Sequence, residues 1–155
     1  MKISTLCYLE KDGRYLMLLR NKKKQDVNEG KWIGVGGKTE NGESPEECLC
    51  REVKEETGLI LNDFKLRGIL TFSSKGWEDE VIFVYTSDDF EGIIRECSEG
   101  ELRWIRKEDI WDLNLWEGDR IFLELLMKDS PLFSLKLSYE GDTLTEKKLK
   151  LYSFS

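Results

Sequence analysis

Residues 45–57 are punctuated as a helix at both ends, and three glutamates crowd one face of its last two turns. Ser44 is a good N-cap, Pro45 suits the first helical position, and Glu47 completes a capping box with Ser44. Gly58 is a natural C-terminal stop. Glu52, Glu55 and Glu56 stand at i, i+3 and i+4, so they share a face. They repel one another, and they lie at the end of the helix dipole that favours cations. Each of these effects costs ~0.3–1 kcal/mol. Local propensity and local electrostatics disagree here, as they often do at functional sites. A hard divalent cation with oxygen ligands relieves the conflict. A solvated acidic face paired with Arg51 and Lys54 is the structural alternative.

The rest of the composition narrows the chemistry. The chain of 155 residues has 24 basic and 31 acidic side chains and a net charge of -7, which disfavours long nucleic acid. A small phosphorylated ligand remains compatible if metal ions reverse the local sign. Histidine is absent. Ser-His-Asp and Cys-His catalysis are thereby excluded, as is histidine-ligated zinc, and acid-base or metal work falls to carboxylates, Lys, Tyr or Cys. Cys48 and Cys50 lie two positions apart on the helix and face different ways, so they make no CxxC pair. Reduced, partly buried thiols of a cytosolic protein are expected. The N-terminal apolar run is too short for a signal peptide, and no stretch is long enough for a membrane span, so a cytoplasmic location without membrane contact is expected.

Alternation and turn residues predict strands over 2–9 and 15–20 around Lys11-Asp12-Gly13, then a polar loop over 21–30. Lys31 to Gly37 reads as one short strand entering a glycine-rich turn. Further strands are predicted near 64–74, 79–87 and 101–105, an amphipathic helix over 118–128, and a closing hairpin of 132–139 and 143–152. Strands and helices interleave without a regular βαβ rhythm. One domain over 1–155 is expected, of α/β class, with a mixed sheet between helices on both faces.

The turn before the helix is the second unusual element. Gly36-Gly37-Lys38 lets the backbone approach a ligand and sets a cation beside it. Five residues separate Gly37 from Glu43, and seven separate Glu43 from Arg51-Glu52-Val53-Lys54-Glu55-Glu56-Thr57-Gly58-Leu59. This run resembles the Nudix box, Gx₅Ex₇REUxEExGU with U aliphatic, and every specified position is matched. The resemblance implies an α/β/α sandwich and a Mg²⁺-dependent hydrolase of nucleoside diphosphate derivatives, with Mn²⁺ as an alternative ion. It implies that Glu52, Glu55, Glu56 and the carbonyl of Gly36 bind metal. Arg51 would orient the acidic cluster, Glu43 would brace the loop, and Glu52 is the first choice for general base. A further metal ligand is expected in Ser98-Glu99-Gly100-Glu101, where Glu99 fits better by its distance from Trp104 and Glu101 is the runner-up.

Beyond the box, Lys31 to Lys38, Leu115 to Asp119 and the closing hairpin are similar to the MutT-type 8-oxo-dGTP diphosphatases of that family. This implies cleavage of purine nucleoside triphosphates to monophosphate and pyrophosphate, in nucleotide-pool sanitation and DNA repair, by a monomer or homodimer. The expected substrate contacts are Lys23, Ile33, Val35, Gly37, Lys38, Trp116 and Asp119. Trp116 would stack on the base and Asp119 would hydrogen-bond its edge, ionised or protonated. Their structural alternatives are packing under the second helix for Trp116 and, for Asp119, capping that helix or favouring its N-terminus. The chain departs from the mammalian pattern of adjacent aspartates at Gly118-Asp119, and it has Ile33 where an asparagine reads the base. Another nucleoside diphosphate derivative, or binding without turnover, are the competing readings.

Overall fold

The computed structural model describes residues 1–22 and 26–153. Lys23, one of the expected substrate contacts, lies outside the described residues. The strands are β1 (Lys2–Lys11), β2 (Arg14–Arg20), β3 (Trp32–Ile33), β4 (Val35–Lys38), β5 (Ile60–Ser74), β6 (Glu80–Glu91), β7 (Gly100–Arg106), β8 (Phe133–Glu140) and β9 (Thr143–Leu151). The helices are α1 (Pro45–Thr57) and α2 (Asp119–Met127), with a 3₁₀ segment over Lys107–Asp112 that the alternation did not foresee.

The sheet is mixed. β1 pairs in parallel with β6, and β5 with β8, while β4·β1, β5·β6 and β8·β9 are antiparallel. β2 turns away from β1 after a short hairpin pairing and joins β3 and β7 in antiparallel register. Both faces are covered. Leu49 and Val53 of α1 pack with Leu9, Leu16, Val35 and Tyr85 on one side. Phe122, Leu123 and Leu126 of α2 pack with Tyr8, Met17, Leu70 and Leu135 on the other. Full burial of each such side chain stabilises by ~1.5–3 kcal/mol. The expected α/β sandwich, with its mixed sheet between helices, is therefore the observed one. The expected faces of Cys48 and Cys50 also hold, since Cys48 is buried and Cys50 exposed. Among the described residues no helix is long and apolar enough to cross a membrane.

The segment 31–38 differs from the single strand expected. Ile33 pairs with Leu18, whereas Val35 pairs with Cys7 in a different part of the sheet. The break falls at Gly34, where a side chain would lie 2.6 Å from the Cys7 carbonyl oxygen and 3.2 Å from the Tyr8 ring. A continuous strand would put Ile33 and Val35 on one face. The break instead sends Ile33 to the α2 side and Val35 to the α1 side.

Candidate active site

α1 begins and ends as its caps dictate. Ser44 Oγ accepts from the N–H of Glu47, the Glu47 carboxylate accepts from the N–H of Ser44, and Gly58 closes the helix in a left-handed conformation. The helix therefore presents its acidic face in a fixed register to β4. Gly37 leaves the Glu52 carboxylate its present place, because a Cβ there would stand 2.4 Å from the carboxyl carbon and displace it. Gly36 has the same constraint on its other side, with a Cβ only 2.0 Å from the Thr5 carbonyl oxygen.

Arg51 organises the outer half of the cluster. Its Nε and Nη2 donate to Glu43 at 2.6 and 2.9 Å, and its Nη1 donates to Glu52 at 2.6 Å and Glu55 at 3.3 Å. Nη2 also donates to the Lys38 carbonyl at 3.1 Å. Glu43 in turn accepts from the N–H of Glu40 at 2.9 Å, which ties the loop to the helix. The Arg51 hydrogen bonds hold the Glu43 carboxyl down at about 2.

The inner half is poorly compensated. Glu56 is buried, and its Oε2 accepts from the Gly36 N–H at 3.1 Å. Its Oε1 has no hydrogen-bond partner among the described residues. Burial, then the charge of Glu99, raise the Glu56 carboxyl to about 9. Glu52 is shifted up as well, first by burial, against the opposing pull of Arg51. An orphaned buried carboxylate oxygen with two further carboxylates close by is the donor set a hard, oxygen-seeking cation fits. Among the described residues no three His, Cys, Asp or Glu side chains already form a cage that could hold a metal ion. Glu55 stays exposed on the Arg51 side of the cluster. An ion that keeps several waters does not require such a cage.

The two candidates part company, Glu99 on the loop before β7 and Glu101 within the strand. Glu99 lines the cleft and interacts with Glu56 and Glu52. Glu101 pairs instead with Arg103 at 2.6 Å. Gly100 sets this arrangement, because a Cβ there would lie 1.8 Å from the Leu19 carbonyl oxygen. Only glycine lets β7 start pairing directly after Glu99.

One cleft of about 380 Å³ runs from these carboxylates to an aromatic end. Gly36, Gly37, Lys38, Glu52 and Glu99 line the first part, and Ile33, Leu70, Phe72, Trp116, Asp119 and Leu137 the second. Val35, expected among the substrate contacts, is fully buried beneath α1 and does not line this cleft, for the reason given by the break at Gly34. Trp116 is largely buried, edge-on to Phe72 and Tyr139, with its Nε1–H donating to Asn28 Oδ1 at 2.8 Å and the Lys31 ammonium 5.0 Å from the ring centroid. It packs in the core and also forms cleft wall, so the two readings of it are compatible.

Asp119 does not cap α2. The N-cap is Gly118, whose N–H donates to the Tyr139 hydroxyl at 2.7 Å, and Asp119 makes no capping hydrogen bond. Its carboxyl is buried at the cleft wall, and burial raises it to about 8 against the opposing charge of Lys31. The shift is toward the protonated form, a direction the residue pattern alone left open. Sequence reasoning missed Arg20, Asp26 and Asn28, which also line the cleft. The one available signal was an arginine closing the apolar strand Tyr15-Leu16-Met17-Leu18-Leu19.

Known proteins resemble this chain in sequence and in fold. The NUDIX domain profile matches residues 2–126. An uncharacterised Nudix hydrolase of Bacillus subtilis, YvcI, is 33% identical, over 87% of this chain and 85% of its own length. An oxidised purine nucleoside triphosphate hydrolase of Danio rerio is 29% identical, over 96% of this chain and 94% of its own. Among solved structures, a mutator MutT protein of Bacillus halodurans superposes with a TM-score of 0.86 at 26% identity, covering 96% of this chain and 97% of that one.

Proposed function

The chain belongs to the Nudix hydrolases, and from that membership we propose that it cleaves purine nucleoside triphosphates, oxidised ones such as 8-oxo-dGTP foremost, to monophosphate and pyrophosphate. The observation that carries this reading is the single cleft with carboxylates at one end and an aromatic wall with a buried carboxyl at the other. A triphosphate extends from a flat base, and the cleft offers each part a matching surface. The name of the Danio rerio relative supports the same choice.

In this reading Glu56, Glu52 and Glu99, with Glu55 and the Gly36 carbonyl, hold Mg²⁺ or Mn²⁺. The bound ion supplies charge neutralisation and polarisation of the phosphoryl oxygens. Arg51 keeps Glu52 aimed across the Gly37 backbone, and Glu43 keeps Arg51 in place. Glu52 is the first choice to accept the proton of the attacking water. Lys38, exposed at the cleft edge, faces the phosphates. At the other end Trp116 offers indole surface to the base. A protonated Asp119 offers both a donor and an acceptor to its edge, which suits the altered edge of an oxidised purine. Ile33 adds apolar wall.

The test is a panel of nucleotides with Mg²⁺, scored for pyrophosphate against phosphate. Preferential release of pyrophosphate from 8-oxo-dGTP is expected. Preference for a dinucleotide or a nucleotide sugar would move the chain to another substrate class of the family, and no turnover of any would make it a binding module.

A further inference from the structure

The end of β2 reaches the loop that carries Glu99 by several independent contacts. Arg20 pairs in register with Gly100, and the Lys22 N–H donates to the Glu99 carbonyl at 3.3 Å. The Lys22 ammonium donates to the Cys97 carbonyl at 3.0 Å. On the cleft side the Arg20 guanidinium sits between two carboxylates, with Nε 2.8 Å from Asp26 and Nη1 3.5 Å from Glu99. The Arg20 and Asp26 side chains are almost wholly buried, and all three residues line the cleft.

This arrangement answers an electrostatic problem. Glu99 and Glu52 line one end of the cleft, where Glu56 bonds the N–H of the lining Gly36, and ionised carboxylates there push one another apart. Glu99 stands on a loop and is the most exposed of these three, with 31% of its side chain accessible against 16% for Glu52. Repulsion alone would turn it outward to water. A buried guanidinium ion-paired to a second carboxylate is a counter-charge that favours the inward position, and a flexible ammonium is a poor substitute.

We propose that Arg20 is a positioning residue that holds the Glu99 carboxylate toward the acidic face of α1, with Asp26 as its anchor. Arg20 then acts on metal binding through Glu99. The inference rests on the reading of Glu99 as a metal ligand, and the test separates the two.

Binding of Mn²⁺ alone to the intact protein, read from loss of the free-ion EPR signal, is measured for wild type, Arg20→Lys, Glu99→Gln and the double variant. Circular dichroism confirms that each is folded. Arg20→Lys keeps the charge but loses the fork, and should weaken Mn²⁺ binding by about tenfold, the usual effect of losing a residue that orients a ligand. In the Glu99→Gln background the same change should have almost no further effect. Asp26→Asn, which frees the guanidinium without removing it, should weaken binding in the same direction. Equal weakening by Arg20→Lys in both backgrounds would show that Arg20 acts elsewhere, as would unchanged binding in the single variant. If Glu99→Gln itself leaves Mn²⁺ affinity untouched, Glu99 is no ligand and the reading beneath the inference falls with it.

Discussion

The backbone N–H of Gly36 donates to Oε2 of Glu56 at 3.1 Å across twenty residues of chain. This bond fastens the glycine turn to the last turn of α1 and leaves the second oxygen of Glu56 without a partner among the described residues. It joins the two elements singled out by the sequence pattern, the turn and the acidic face. Glu56→Gln should keep the bond to Gly36, lose most activity and leave the fold intact. Burial shifts the Glu56 carboxyl up to about 9, so without metal the uncharged amide suits the site as well as the acid does, and the melting temperature should hold. Near-wild-type turnover would remove Glu56 from the ligand set, and an unfolded variant would point to a structural role.

Activity should depend on a divalent ion. The cleft of a protein with net charge -7 opposes a triphosphate unless its carboxylates are neutralised. Turnover after EDTA treatment should be lost and should return with Mg²⁺. Full activity in EDTA would contradict the metal assignment.

Gly37→Ala should damage the site without touching a charged group. The new methyl would sit 2.4 Å from the Glu52 carboxyl carbon and must displace it. A misplacement of about 1 Å costs up to roughly hundredfold in rate. A loss in kcat with little change in melting temperature is expected. Unchanged kcat would mean that the position of Glu52 is not critical.

Asp119 should give the stability curve a pH dependence of defined sign. Its carboxyl is raised from 3.8 to about 8 by burial, so the folded state favours the protonated form. The resulting stabilisation is complete below the unfolded value and is lost as pH rises from about 4 to about 8. Wild type should therefore lose stability relative to Asp119→Asn over that interval. Denaturant midpoints of both proteins at pH 5 to 8 check this, and parallel curves would show that Asp119 does not titrate high.

The same carboxyl should matter more for base choice than for chemistry. Asp119→Ala removes both donor and acceptor, leaving an edge partner unpaired at a cost of ~1–3 kcal/mol, or roughly ten- to hundredfold in kcat/KM. The loss should fall on 8-oxo-dGTP and largely spare dCTP. Equal losses on both substrates would make Asp119 structural.

The local sequence by itself determined α1 and its acidic face, because caps, spacing and helical period act within a few residues. Ser44, Pro45, Glu47 and Gly58 fixed the helix ends, and the spacing from Gly37 to Leu59 identified the family. Strands with clear alternation and turn residues were legible for the same reason. Only the tertiary structure decided which residues from distant segments meet. Glu99 rather than Glu101 faces the acidic cluster because Gly100 starts β7 directly after it. Val35 goes under α1 because the chain changes pairing partner at Gly34. Arg20 and Asn28 pair at the cleft with residues far along the chain, Glu99 and Trp116, and Asp26 joins them through Arg20. The upward shift of the Asp119 carboxyl is likewise set by burial. Desolvation and long-range strand pairing depend on what surrounds a residue in space, and no short stretch of sequence carries that information.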